Sequence, residues 1–406
     1  MRFVWFGAQL NATREQALPD APPKRGPKVL HSAPPISKNR TVHFVTGQDA
    51  VLRYSAKLVE FSECCGQTGS MHDLAYFLSK PGALPRLPYL LLVGPADLDI
   101  ENPDRDDLQG AVLIFEQQIA GVGLGAFATN DRSGRSSLVA RAEDRAQVAG
   151  LACRALLDRG AHVVLMSFRT GDGDGQARAI EHALGSGANG KTLARWAQRE
   201  RTIPGYLPLS DTLDATLAGM GAHTRRNLRY YRRRAEAELG CVLIPRVDAS
   251  TNEVLAFSRE CMYPVSAAVT AWRYNSLKGL DRPICMGIKD RNGRWLSILG
   301  GRRYLDRTEI LWQLNRDGLA NYSLGTVMRS YFIEHEIALG ARRMYTEGGT
   351  PHSMKFSFVP ETLNDLVLMR RTMAAKAMQR IASLMIAKDN ELSHMLSAEG
   401  LEWQHC

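Results

Sequence analysis

Glu347, His352 and Lys355 fall close together after the apolar stretch that ends at Thr346. A carboxylate and an imidazole are the side chains that most readily take a proton near neutral pH, and an ammonium meets a phosphate or a developing negative charge. The trio is therefore the best catalytic candidate in the chain, with Glu309 and Asp317 as reserve carboxylates. The same residues also suit a polar surface loop. Just upstream, Ser323, Leu324, Gly325 and Thr326 begin a helical pattern. Ser323 reads as its N-cap, and small residues in a first turn leave backbone N–H groups open to an anion such as a pyrophosphate. An ordinary capped helix would read identically.

The densest charge lies in 224–234, TRRNLRYYRRR. On a helix Arg226, Tyr230 and Arg233 share one side, and Arg225, Arg229 and Arg232 a neighbouring one. Guanidinium forks fit phosphate and carboxylate oxygens, and aromatic rings stack on bases or sugars. Three readings stay open: a solvated basic face, a nucleic-acid patch, or a binding surface for an acidic small molecule.

Defined elements must hold these groups. A strand containing Trp312 ends at Asn315. A helix runs to Leu339 with Gly340 as its stop, and a strand covers Arg343–Thr346. His335 falls on the helix's apolar stripe and reads as a satisfied core histidine. The hairpin before that helix is Arg294–Gly300 with Arg307–Leu314. An equivalent series occurs earlier. After the apolar strand Tyr89–Val93 come a hairpin (Ala111–Phe115, Gly121–Phe127), a helix Arg145–Asp158 stopped by Gly160, and the strand His162–Phe168. The series predicts an internal duplication of one α/β unit.

Gly121, Gly123 and Gly125 lack the following helix that a dinucleotide fingerprint needs, so a strand bulge is expected there. Gly171–Gly175 lacks the remaining calcium ligands and reads as a loop. A helix and connector are expected over 171–206. Past Pro360, Leu366, Met369, Met373, Met378, Ile381 and Met385 predict a Met-rich amphipathic helix that docks on this chain or on a second copy. The organisation predicted is a flexible arm (1–42), a first domain (43–203), a second domain (204–362) and a helical tail (363–406).

A chain of 406 residues suits two such domains plus tails. Seven cysteines in no framework spacing predict a reducing, cytoplasmic setting. No stretch has the length of an uncharged transmembrane helix, and neither metal-ligand spacing nor a serine-hydrolase elbow occurs. A net charge of +9 favours anionic partners without choosing among nucleotides, nucleic acid and anionic lipid.

Taken together, the order strand, small-residue helix start Ser323–Thr326, helix ending at Gly340, Glu347-Gly348-Gly349, then Lys355-Phe356 resembles the GNAT acyltransferase superfamily. More narrowly it resembles the FemAB-like and CelD-type (cellulose-biosynthesis) branch, over roughly 205–360. Met354 stands where that branch often has Tyr. The resemblance implies an α/β fold of tandem GNAT-like domains, each a mixed, mostly antiparallel sheet flanked by helices. It implies acyl-CoA (acetyl-CoA or longer) as co-substrate on Ser323–Thr326, and no metal. It implies Glu347, His352 and Lys355 as the catalytic group, with Arg226, Tyr230 and Trp312 toward the acceptor, an amine or hydroxyl of a small or cell-envelope metabolite. Acidic Glu143 and Asp144 at the first helix start predict that the first domain holds no CoA. An aminoacyl-tRNA donor, or a non-enzymatic nucleic-acid or partner-binding protein using 224–234, are the alternatives.

Overall fold

The structure, a computed structural model, describes residues 40–66, 74–79, 85–129, 137–169, 180, 182, 194–347, 357–377 and 404–405. Asn39–Cys406 cluster as one compact unit. The strands are β1 (Arg40–Thr46), β2 (Arg86–Pro95), β3 (Gly110–Ile119), β4 (Val122–Ala128), β5 (Leu138–Ala140), β6 (Val163–Arg169), β7 (Ala194–Pro208), β8 (Val242–Ile244), β9 (Pro283–Lys289), β10 (Trp295–Tyr304), β11 (Arg307–Asn315), β12 (Arg343–Thr346) and β13 (Val359–Arg370). The helices are α1 (Gln48–Leu52), α2 (Ser55–Cys64), α3 (Leu74–Ser79), α4 (Arg145–Asp158), α5 (Leu213–Ala218), α6 (Ala222–Leu239), α7 (Thr251–Arg259), α8 (Ala267–Ser276) and α9 (Leu324–Ala338).

One sheet carries them, in the order β1-β2-β3-β4-β6-β13-β7-β12-β11-β10-β9-β8, with β5 beside β3 and a two-residue strand, Gln404–His405, beside β7 off this path. The predicted duplication is visible in its connections. The β3–β4 hairpin leads through α4 to β6, which lies parallel to β4. The β10–β11 hairpin leads through α9 to β12, which lies parallel to β11. Every other neighbouring pair on this path is antiparallel, so the fold is α/β with a mixed, mostly antiparallel sheet. A parallel neighbour needs a crossover, and a helix of fourteen or fifteen residues supplies it in both units.

Each half has helices on both faces. In the first, α4 packs on one face with Val164, Met166 and Leu366, while α1, α2 and part of α3 cover the other around Leu90, Leu92 and Phe115. In the second, α5, α6 and α9 bury Met286, Ile310 and Met344 on one face. The opposite face buries Ile298, Leu311, Trp312 and Leu314 under α7 and α8, with Tyr76 and Phe77 of α3 joining from the first unit.

Two elements differ from the sequence expectation. Ala194–Pro208, read as helix and connector, is a strand. Its Ala, Arg, Gln and Glu favour helix locally, but twelve residues of β13 pair along it and tertiary pairing wins. Residues 363–370, read as the start of a helical tail, belong to β13, which inserts between β6 and β7. Leu363, Leu366, Val367, Leu368 and Met369 are all buried, the continuous run of a strand covered on both faces rather than a helical stripe. A helical turn follows over 373–377, where Met373 is exposed; Met378, Ile381 and Met385 lie outside the described residues. The 203/204 boundary falls inside β7, and β1 begins at Arg40, inside the expected arm.

The Gly121–Gly125 run lies at the β3–β4 turn and in β4, with a register shift opposite it. A Cβ on Gly123 would land 2.3 Å from the Glu116 carboxylate, which accepts from the Gly125 N–H. Gly171–Gly175 lies outside the described residues. The described cysteines are free thiols, and no described helix is long and apolar enough to cross a membrane.

At the β10–β11 bulge, a Cβ on Gly301 would meet the Glu309 backbone oxygen at 2.3 Å. Backbone cannot swing aside as a side-chain tip can. Gly301→Ala is expected to cost about 2–3 kcal/mol in urea unfolding. Gly279→Ala, with nothing within 4 Å of its Cβ, is expected to stay within about 0.5 kcal/mol of wild type.

Candidate functional site

The parallel pair β11–β12 runs only from Arg307–Arg343 to Ile310–Thr346. The Glu347 N–H closes it by donating to the Ile310 carbonyl at 2.7 Å. Beyond that point β11 continues to Asn315 with no strand beside it on the β12 side among the described residues. α9 starts beyond the end of β11, and Glu347 follows the last residue pair of the ladder.

The start of α9 is not an ordinary cap. Ser323 adopts a left-handed backbone (φ 47°) and makes no side-chain bond to the helix N–H groups; its hydroxyl pairs with the Thr326 hydroxyl at 2.9 Å. The N–H groups of Thr326 and Val327 both donate to the Ser323 carbonyl, leaving those of Leu324 and Gly325 without a partner among the described residues. A left-handed serine stores strain, which structures tolerate where it serves geometry. Here it turns two helix-end donors outward.

These donors line a cavity of about 470 Å³ with Asn227 and Tyr231 of α6, Asn315 and Arg316 at the end of β11, and Arg329 one turn further along α9. Arg316 is held by Glu260. Arg329 has no carboxylate among the described residues, and its Nε is buried without a hydrogen bond. Burial pulls its guanidinium down to about 10. A desolvated cation beside open helix N–H groups is an anion-binding arrangement. Sequence reading missed Arg329 although a signal exists: it is the single charge between Leu324 and Ile333.

Trp312 points to the other face of the sheet. Its indole fills the space that Gly300 leaves, where a Cβ would come within 2.2 Å of the ring, and its Nε1 donates to the Arg273 carbonyl at 3.0 Å. Tyr76 of α3 stacks against Trp272 with ring centres 5.1 Å apart, and the Trp272 Nε1 donates to Ser79 at 3.2 Å. Tyr76 is 3% exposed. Burial first, then the Glu347 charge, drive its phenol well above the ordinary value, against the pull of Arg302 and Arg273. Burial lowers the proton affinity of Arg273, against the favourable charges of Tyr76 and Glu347.

The remaining candidates separate. Arg226 and Tyr230 sit on α6, on the opposite face of the sheet from Trp312. Arg226 contacts His223 and Tyr230 is about half exposed; the neighbouring positions Asn227 and Tyr231 reach the cavity instead. Much of the arginine run is spent locally: Arg229 pairs with Asp214, Arg232 with Glu236 and Glu334, and Arg234 with Glu238. Glu309 is buried and bound by two nitrogens of Arg302 at 2.7 and 2.9 Å, which makes it a structural carboxylate. Asp317 is exposed and accepts from the Gly318 N–H. His335 is not a core histidine; it lines a second cavity, of about 570 Å³, near the other end of α9. His352 and Lys355 lie outside the described residues. No cluster of possible metal ligands occurs among the described residues.

No family model and no curated protein matches the chain. Among solved structures it is similar to L-PGS from Bacillus licheniformis, at 12% identity over 82% of this chain and 97% of that one, with a TM-score of 0.46. A tandem GNAT protein from the clavulanic acid biosynthesis pathway gives 11% identity, 82% and 99% coverage and a TM-score of 0.43. FemX gives 9%, 78% and 98%, and 0.47.

The Arg302–Glu309 pair under Phe77 is the most buried charge in the region. Removing one partner strands the other, whereas an apolar pair of similar volume restores packing. Glu309→Gln is expected to cost about 3 kcal/mol in chemical denaturation, and Arg302→Met with Glu309→Leu distinctly less.

Proposed function

We propose that the chain is an acyltransferase of GNAT-like type, related to the FemAB-like and CelD-type branch, which moves an acyl group from acyl-CoA to an amine or hydroxyl. The observation that carries this reading is the cavity at the head of α9, where two helix N–H groups and a desolvated Arg329, all without a partner among the described residues, converge. A pyrophosphate supplies the negative charge that this arrangement lacks. From there an extended donor arm runs along β11, past the end of its ladder with β12, toward Glu347. Unpaired strand edges are suited to hold an amide-bearing chain by backbone hydrogen bonds.

In this reading the donor brings an activated thioester carbonyl. Glu347, at the end of that ladder, takes the proton of the attacking amine or hydroxyl, with His352 and Lys355 on the same segment completing the group. Trp312 and the rings packed on it bound the acceptor side, and α6, with Arg226 and Tyr230, belongs to the donor side. Positioning and proton removal suffice without a covalent enzyme intermediate. The first unit takes no donor: Asp144 stands at the head of α4 and accepts from Gln109 there. We assign the division into a supporting unit before about 203 and a transferring unit after it, in a cytoplasmic protein acting on a small or envelope-precursor acceptor.

One observation favours a second donor. Arg225, Arg226 and Arg233 of α6 have no carboxylate partner among the described residues and lie on the helix that lines the donor cavity. A longer polyanion such as an aminoacyl-tRNA would use them.

Thermal unfolding with acetyl-CoA and longer acyl-CoAs tests the reading. A ligand of the native state at a hundred times its Kd stabilises by about 2.7 kcal/mol. Wild type is expected to shift, Gly325→Trp to lose the shift by filling the cavity, and Arg329→Met to bind about tenfold more weakly. Absence of a shift with every acyl-CoA overturns the CoA reading, and salt-sensitive tRNA binding would then favour the second donor.

A further inference from the structure

Ser297 is 0% exposed, a hydroxyl among Leu296, Ile298 and Leu299 in the apolar middle of β10. Its Oγ lies 2.9 Å from the Asn315 Oδ1 and 2.9 Å from the Leu314 carbonyl. Gln313 stands two residues before Asn315, on the same face of β11. Its Nε2 lies 2.8 Å from the Asn315 Oδ1, 3.3 Å from the Ser297 Oγ and 3.4 Å from the Gly325 carbonyl. That carbonyl fixes which way both amides point. It can only accept, so Gln313 turns its nitrogen toward it, and this nitrogen in turn needs the oxygen of Asn315. Asn315 is therefore held with its Oδ1 inward and its Nδ2 outward. Its backbone is fixed as well: its carbonyl accepts from the Met262 N–H at 3.0 Å, and it pairs with Ser297 in the β10–β11 ladder.

The Asn315 Nδ2 makes no hydrogen bond to a described residue, and Asn315 lines the cavity at the head of α9 with Gly325 and Arg329. A Cβ on Gly325 would sit 3.4 Å from that Nδ2, so the missing side chain leaves the amide uncovered. The network carries a cost of its own, because the Gln313 Oε1 is buried with no partner. An unmet buried acceptor destabilises a fold, and the arrangement that strands this one also aims Asn315. We propose that Asn315 recognises the ligand at the helix start by donating from its Nδ2 to an anionic oxygen, with Gln313 and Ser297 as positioning residues. This rests on the reading of that cavity as the acyl-donor site. N–H groups then converge from the end of β11, from Leu324 and Gly325 in the first turn of α9, and from Arg329 one turn on. A carboxylate or a single phosphodiester offers two free oxygens and leaves some of these groups unmet. A diphosphate ester, with oxygens on two phosphorus atoms, is the class that answers them all.

Isothermal titration with inorganic pyrophosphate and with acetyl-CoA tests this on wild type, Asn315→Ala, Asn315→Asp and Ser297→Ala. Malonate is the carboxylate control, and thermal unfolding without ligand checks that each variant is folded. Wild type is expected to bind pyrophosphate at least about tenfold more tightly than malonate. Asn315→Ala is expected to bind pyrophosphate and acetyl-CoA about tenfold more weakly than wild type. Asn315→Asp keeps the shape but turns a carboxylate toward the anion, and is expected to lose about a hundredfold. Ser297→Ala, behind the cavity wall, is expected to lose a few-fold because Asn315 is then free to turn. Should Asn315→Ala unfold early, Asn315→Asp carries the comparison. Wild-type affinity for pyrophosphate in both Asn315 variants overturns the assignment, and the acyl-donor reading stands if acetyl-CoA still binds. Equal affinity for malonate and pyrophosphate overturns the diphosphate class. A wild type that binds neither pyrophosphate nor acetyl-CoA overturns both readings. Pyrophosphate binding that depends on Asn315, without any response to acetyl-CoA, upholds the role of Asn315 and removes the CoA reading.

Discussion

The hydrogen bond from the Glu347 N–H to the Ile310 carbonyl is the last tie between β11 and β12, and the arrangement of the second unit follows from where it falls. A parallel pair cannot be joined by a tight turn, so a helix must cross between its strands. α9 is that helix, and its N-terminus is necessarily delivered to the end of β11, past the point where the pairing stops. Among the described residues β11 runs on to Asn315 past the last pair of the ladder, Ile310 with Thr346, with the start of α9 beside it and Glu347 at the end of the ladder. Gln313 and Asn315 face α9, with the Gln313 amide reaching the Gly325 carbonyl at 3.4 Å, while Trp312 and Leu314 face α7 and α8. The pleat of a single strand thus serves both faces of the sheet.

The two units are held by more than a linker. β13 returns from the end of the second unit to lie between β6 and β7, and β7 pairs with β13 over most of its length before its last two residues reach β12. The β13 register also carries polar groups inward: Asp365 accepts from Ser167 at 2.7 Å and from Arg199 at 3.1 Å. Buried polar pairs of this kind fix register, because a slip by one residue strands each partner. Across this junction Tyr76 and Phe77 of α3 pack in one core with α7 and α8.

The sequence was most legible where a pattern is local. α4 begins and ends where its periodicity does, β12 falls on Arg343–Thr346, and the helix-ending glycines stand where they were expected. The first hairpin instead turns at Ala120–Gly121, past the Glu116–Gln118 expected for it, because β3 stays paired to Ile119. It was least legible where pairing partners are distant. β7 carries helix-favouring residues, and only β13, more than 150 residues later in the chain, makes it a strand. The candidate site divides in the same way. The Ser323–Thr326 start was readable as small residues before a periodic run. Its left-handed Ser323 was not, since small residues before a periodic run do not specify that backbone. Arg226 and Tyr230 lie on the other face of the sheet from Trp312, because spacing along a helix says which residues share a face but not which face of the sheet the helix covers. Tyr76 and Trp272, in ring contact, belong to segments nearly 200 residues apart, and no local pattern joins them.

Charge itself identified little, and desolvation identified more. The chain carries 51 lysines and arginines, and the conspicuous cluster on α6 largely neutralises itself through Asp214, Glu236, Glu238 and Glu334. Exposed pairs of this kind contribute little and screen readily. Arg302 shows the opposite limit, fully buried and fully answered by Glu309. Arg329 belongs to neither class: it is withdrawn from water and has no carboxylate among the described residues, and it lies in the cavity at a helix start whose N–H groups suit an anion.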